Sequence, residues 1–133
     1  MDLADTTDLL LEHAHADREI ESLSRAVRGT GNISHAFKAF EIVILRHFAT
    51  EERELFVAYE REEPEDAAVL RAQHESFRAL LRKARALVDN GSFGAEQLRE
   101  LQIAVALHHA HEETGLYAWV RSKPSRWRAP RVA

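Results

Sequence analysis

The chain contains one pattern of metal-capable residues twice, at a single offset. His13, His47 and Glu51 are answered by His74, His108 and Glu112, each 61 positions later. Both halves therefore read His…His-x3-Glu. The match runs past these residues, because His47-Phe-Ala-Thr-Glu51-Glu52-Arg-Glu-Leu55-Phe56 and His108-His-Ala-His-Glu112-Glu113-Thr-Gly-Leu116-Tyr117 share the frame H-x3-E-E-x2-L-aromatic. A fixed period of this kind marks a repeated structural unit. Two helical hairpins related by a pseudo-two-fold axis would gather four imidazoles and two carboxylates around one point, the composition of a dinuclear metal site.

Helix breakers agree with two hairpins. Only Pro64 interrupts the first 120 residues, and glycines gather at 29–31 and 91–94, so four long segments remain. The spacing predicts helices over Thr6–Arg28, Ser34–Glu62, Pro64 to Asn90-Gly91, and Ala95–Arg121, the last stopped by Pro124. Each carries an apolar stripe that includes the candidate ligands: Leu9, His13, Ala16, Ile20 and Leu23 in the first, Leu70, His74, Phe77 and Leu81 in the third. Short loops make successive helices antiparallel neighbours, so the expected fold is all-α, an up-down-up-down four-helix bundle with an internal two-fold repeat. In such hairpins, residues equidistant from a turn share a height. His13 and His47 lie about 18 and about 16 residues from the first turn, and His74 and His108 about 17 from the third, at ~1.5 Å rise per residue. All six candidates fall in one layer.

A chain of 133 residues with 45% hydrophobic content suits one domain with one core. We expect the bundle over residues 1–122 and a loosely ordered basic tail over 123–133, where Lys123, Arg126, Arg128 and Arg131 surround two prolines and Trp127 is a candidate to dock on the bundle. The net charge of −4 argues against nucleic-acid binding. With no cysteine there is neither a disulfide framework nor a thiolate site, so any metal must take nitrogen and oxygen ligands. No secretory h-region and no apolar run approaching the roughly 20 residues of a membrane span is present, so a cytoplasmic protein with no membrane partner is expected.

One His-x3-Glu is commonplace in a Glu-rich helix; two copies, each with a further inward histidine at matching height, are not. Four buried imidazoles and two buried carboxylates without a metal would carry a heavy desolvation and repulsion cost. Glu52 and Glu113, beside the ligands, read as solvated. His15, His35 and His109 read as surface residues, and Phe40, Phe48, Phe77 and Trp119 as core. His111, three past His108, is expected outside the ligand set.

The arrangement resembles the hemerythrin family, the HHE cation-binding domains. The residues that carry the resemblance are Glu12-His13, His47-x3-Glu51-Glu52-x2-Leu55-Phe56, His74-Glu75 and His108-x3-Glu112-Glu113-x2-Leu116-Tyr117, from about Leu9 to Tyr117. It implies an oxo- or hydroxo-bridged pair of iron ions, zinc or manganese being less favoured. Glu51 and Glu112 would be bridging or terminal carboxylates, and His13, His47, His74 and His108 terminal nitrogens. One departure stands out: oxygen-carrying hemerythrins have a further histidine four positions past the third-helix ligand, and this chain has Arg78 there. A coordination position left to solvent points to reaction with dioxygen or peroxide. An iron- or oxygen-sensing module and a reversible oxygen carrier are the alternatives. No protein partner is legible.

Overall fold

A computed structural model describes residues 6–123. Those residues form six helices and no strand: α1 (Thr6–Val27), α2 (Ile33–Glu54), α3 (Phe56–Glu62), α4 (Pro64–Asp89), α5 (Ala95–Thr114) and α6 (Leu116–Arg121). The starts are chemically marked. Asn32 caps α2 by accepting the His35 backbone N–H at 2.9 Å, so the helix begins at Ile33, one residue ahead of the expected start at Ser34. Pro64 opens α4, where its missing N–H costs nothing, and Glu65 and Asp66 fill the acidic first turn. Gly29 and Gly91 take left-handed φ angles of 101° and 78° just past α1 and α4, a conformation that strains any side chain.

The second and fourth predicted helices are each interrupted, which the sequence reading did not anticipate. The interruptions lie at Leu55 and Gly115, within one turn of Glu51 and Glu112. The hydrogen-bond ladder persists through both, from Leu55 N–H to Glu51 C=O at 2.9 Å and from Gly115 N–H to His111 C=O at 2.9 Å, so the chain bends without a loop. Gly115 has a steric reason to be glycine. A Cβ there would lie 3.0 Å from Asp66 Oδ2 and 3.1 Å from the His111 carbonyl.

Packing is cyclic: α1 lies against α2 and α5, and α4 against α2 and α5, with α3 on α4 and α6 on α5 and α1. Instead of the single core expected, the buried apolar residues form two clusters. One contains Ile20, Leu23, Phe37, Phe40, Ile44, Phe48, Phe77 and Leu101; the other contains Leu9, Leu55, Phe56, Leu70, Leu116 and Tyr117. The six candidate ligands separate them. Along α1, His13 falls between Leu9 of the second cluster and Ala16 of the first, and along α4 His74 falls between Leu70 and Phe77. The polar layer is thus sealed by apolar packing at both ends. No described helix is long and apolar enough to cross a membrane. The predicted tail, including Trp127, lies outside the described residues apart from Lys123, whose Nζ sits 2.6 Å from Glu62 Oε2.

Candidate metal centre

The layer brings all six sequence-predicted residues together. His13, His47, Glu51 and Glu112 form one group and Glu51, His74, His108 and Glu112 a second, with ligand atoms in each no more than 4.8 Å apart. The two carboxylates belong to both groups. Every residue is buried, and Glu51 and Glu112 are wholly inaccessible to solvent. The four imidazoles point Nε2 inward: those of His13 and His47 are 3.1 Å apart, and those of His74 and His108 are 3.2 Å apart.

Each imidazole is aimed by the partner of its other nitrogen. Nδ1 of His13 donates to Glu113 at 2.9 Å, that of His47 to Glu12 at 2.5 Å, that of His74 to Glu52 at 2.7 Å, and that of His108 to Gln73 Oε1 at 2.8 Å. Ionised carboxylates only accept, so these contacts place a proton on Nδ1 and turn each Nε2 inward, where it carries either a second proton shared with Glu51 and Glu112 or, once that proton is displaced, a lone pair for a metal ion. Glu113 and Glu52 stand 61 positions apart, as do Glu12 and Gln73. The expectation that Glu52 and Glu113 are merely solvated is therefore wrong: each keeps one edge in water and orients a histidine with the other. Arg78 fixes Glu52 in turn, donating to its second oxygen at 2.8 Å and to Glu75 at 3.0 Å. Those contacts, and the hydrogen bond to His74, hold the Glu52 carboxyl below the usual range although its partial burial pushes the other way.

Buried Oε1 of Glu51 and Oε2 of Glu112 have no hydrogen-bond partner. Nε2 of His74 lies 3.3 Å from that Glu51 oxygen and Nε2 of His108 3.2 Å from that Glu112 oxygen, close enough to pair but without a hydrogen bond, and two such buried oxygens among inward-facing imidazole nitrogens suit divalent or trivalent cations held by nitrogen and oxygen. A family model described as the hemerythrin HHE cation-binding domain matches residues 4–120. The chain belongs to this family. No curated protein and no solved structure matches it.

The surroundings of this hemerythrin centre contain residues that spacing had set aside. His109, expected at the surface, is buried and stacks on His13 with ring centroids 3.7 Å apart. Burial, then the charges of His13 and His47, push its pKa down to about 3, so it is a neutral imidazole. Tyr117, the aromatic that ends the repeated frame, places its hydroxyl inside the layer. It donates to Glu51 Oε2 at 2.7 Å, and its oxygen is 2.8 Å from His13 Nε2. Burial and the neighbouring carboxylates raise its pKa strongly, so it is a phenol. His111 lies outside the ligand set, in a chain in which His108 donates to Gln73, Gln73 to His111, His111 to Asp66 at 2.6 Å, and Tyr59 to Asp66 at 2.6 Å. His15 and His35 are exposed.

Charge balance in the layer has a measurable consequence. Burial would lower the pKa of His74, but Glu112, Glu51 and Glu52 outweigh it and raise it from 6.5 to about 9. His47 is raised in the same way, by Glu51, Glu112 and Glu12 against its burial. A raised imidazole pKa adds stability that is present below the unfolded value and lost as pH climbs through the folded one. The chelated protein is therefore expected to lose stability between about pH 6.5 and pH 9. A cation must displace those protons, so metal affinity should rise over the same window, with proton release in a weakly buffered titration. Metal uptake at neutral pH without proton release would contradict this.

Proposed function

We propose that this chain is a non-haem di-iron protein, an up-down-up-down four-helix bundle with an internal two-fold repeat, whose centre reacts with dioxygen or peroxide. The observation that carries the reading is the sharing of Glu51 and Glu112 between two complete His/Glu groups, which suits two metal ions in contact with common carboxylates. His13 and His47 would hold one ion, and His74 and His108 the other. Bound iron would supply one-electron chemistry and Lewis acidity toward a small oxygen species.

The protein's own residues do the rest. Glu12, Glu52, Glu113 and Gln73 keep the four Nε2 atoms aimed. The two apolar clusters exclude bulk water from the layer, and the Tyr117 hydroxyl holds Glu51 Oε2 in place. Position 78 supports reaction over reversible carriage. Its guanidinium is occupied by Glu52 and Glu75, so α4 contributes a single nitrogen, His74, to the cluster.

Elemental analysis and an aerobic optical spectrum test this directly. Two irons per chain and near-ultraviolet charge-transfer absorption are expected; one metal per chain, or zinc after iron-replete expression, would contradict it. Peroxide consumption should be present in the natural chain, slower in Arg78→His and lost in His74→Ala. Oxygen uptake that reverses fully under vacuum would instead make the protein a carrier.

A further inference from the structure

Among the described residues, a cavity lined by His47 and another lined by His108 occupy counterpart positions in the two halves. The first, about 210 Å³ between α1 and α2, is lined by Glu12, His15, Val43, Arg46 and His47. Adding 61 to each number gives Gln73, Ser76, Ala104, Leu107 and His108, and all five line the second, larger cavity of about 450 Å³ between α4 and α5. The ligand histidine is kept in both. Every ionisable side chain around it in the first cavity, Glu12, His15 and Arg46, is replaced by an uncharged one in the second.

The same division continues inside. His13, in the first half, is flanked by polar rings: His109 stacks on it at 3.7 Å, and the Tyr117 ring centroid is 5.0 Å away. The counterparts of those residues are Phe48 and Phe56, which lie 4.0 Å and 4.9 Å from His74. Val69, Phe77 and Leu80 complete the apolar lining of the second cavity. One half of a repeated site thus opens through a charged mouth and the other through an apolar one.

We propose that the α4/α5 cavity is a binding and entry site for a small uncharged apolar molecule, dioxygen in the reading above, while the α1/α2 mouth serves water and ions. An apolar lining strips the hydration shell from whatever enters, which costs a weakly hydrated diatomic almost nothing and costs an ion or a strongly hydrogen-bonded molecule a great deal. Naming dioxygen rests on the proposed di-iron function; the polarity of the cavity does not.

Xenon separates the two, since it is apolar, binds dry cavities and needs no metal. Crystals of the natural chain under xenon pressure should show the gas between Phe77, Leu80 and Ala104 and none beside Arg46. Ala104→Trp should abolish that density. No xenon in the α4/α5 cavity, or equal xenon in both, overturns the proposal. Xenon bound there in a chain that takes up no iron supports the cavity and refutes the di-iron reading instead. In the reduced, iron-loaded protein, Ala104→Trp should slow oxidation by dioxygen at least tenfold and leave oxidation by ferricyanide unchanged. Equal slowing by both oxidants, or by neither, overturns the assignment of this route.

Discussion

Replacing Glu112 by alanine is expected to cost both of the proposed metal ions, whereas His13→Ala should leave one. The difference follows from membership. Glu112 contributes to both groups, while His13 contributes only to the one it forms with His47. Glu112 also accepts from or pairs with imidazoles on both sides, 3.0 Å from His13 and 3.2 Å from His108. Complete burial would raise its pKa, but a hydrogen bond with Glu51, and then those with the surrounding imidazoles, hold its carboxyl well below the usual range. Removing one partner of a buried charged cluster leaves the others uncompensated, which costs about 3–5 kcal/mol. For a domain of this size that is roughly 10–20 °C in Tm. Glu51→Ala should behave alike, because Glu51 is the other shared carboxylate. Metal analysis and calorimetry before and after chelation provide the check. Retention of both metals by Glu112→Ala would sink the shared-carboxylate arrangement.

The parts of this molecule that were legible in its sequence are those enforced by helical periodicity. A side chain that reaches the middle of a helical bundle must sit on the inward stripe at a fixed height, so the burial of His13, His47, Glu51, His74, His108 and Glu112 in one layer was legible from spacing. Cap chemistry likewise marked the ends at Gly29, Pro64 and Gly91 to within a residue or two. The bends at Leu55 and Gly115 left less trace. Leu55 is an ordinary helix former, and because hydrogen bonds continue on both sides of each bend, no breaker is needed. Gly115 carried a usable signal, but its reason is a neighbour, Asp66, that only the packed structure supplies.

Residues around the ligands were misread for a different cause. Treating each side chain as either inward or solvated has no category for Glu52, which does both: one oxygen takes the His74 Nδ1 proton and the other takes Arg78. The information was present in the 61-residue offset, which pairs Glu52 with Glu113 and Glu12 with Gln73. Asking what each ligand histidine does with its second nitrogen would have found all four. His109 escaped because it lies one position off the ligand register, yet the interior of a layer with little apolar filling reaches wide enough around α5 to bury it against His13. The expectation of one core failed for a related reason. A polar layer across the whole interior divides the apolar residues above it from those below.

Phe48 joins the site to the larger of these clusters, and its removal should be felt in both. It is wholly buried, lies face to face with His74 at 4.0 Å, meets Phe77 edge-on at 5.3 Å, and carries the Arg78 guanidinium 5.7 Å from its centroid. Truncation to alanine removes the transfer energy of a phenyl ring and leaves a cavity in a close-packed interior, about 3–5 kcal/mol together. The cavity would open beside His74 and His108, whose rings Phe48 contacts on one side. Chelators should therefore strip the ion held by that pair well before the one held by His13 and His47. Phe37→Ala is the control, since Phe37 is equally buried but packs on Phe93 and Arg85, away from the ligands. It should lose comparable stability and keep both ions. If the two variants release metal alike, Phe48 stabilises only the fold; if Phe48→Ala costs less than about 1 kcal/mol, the interior is not packed tightly enough for the cavity term to apply.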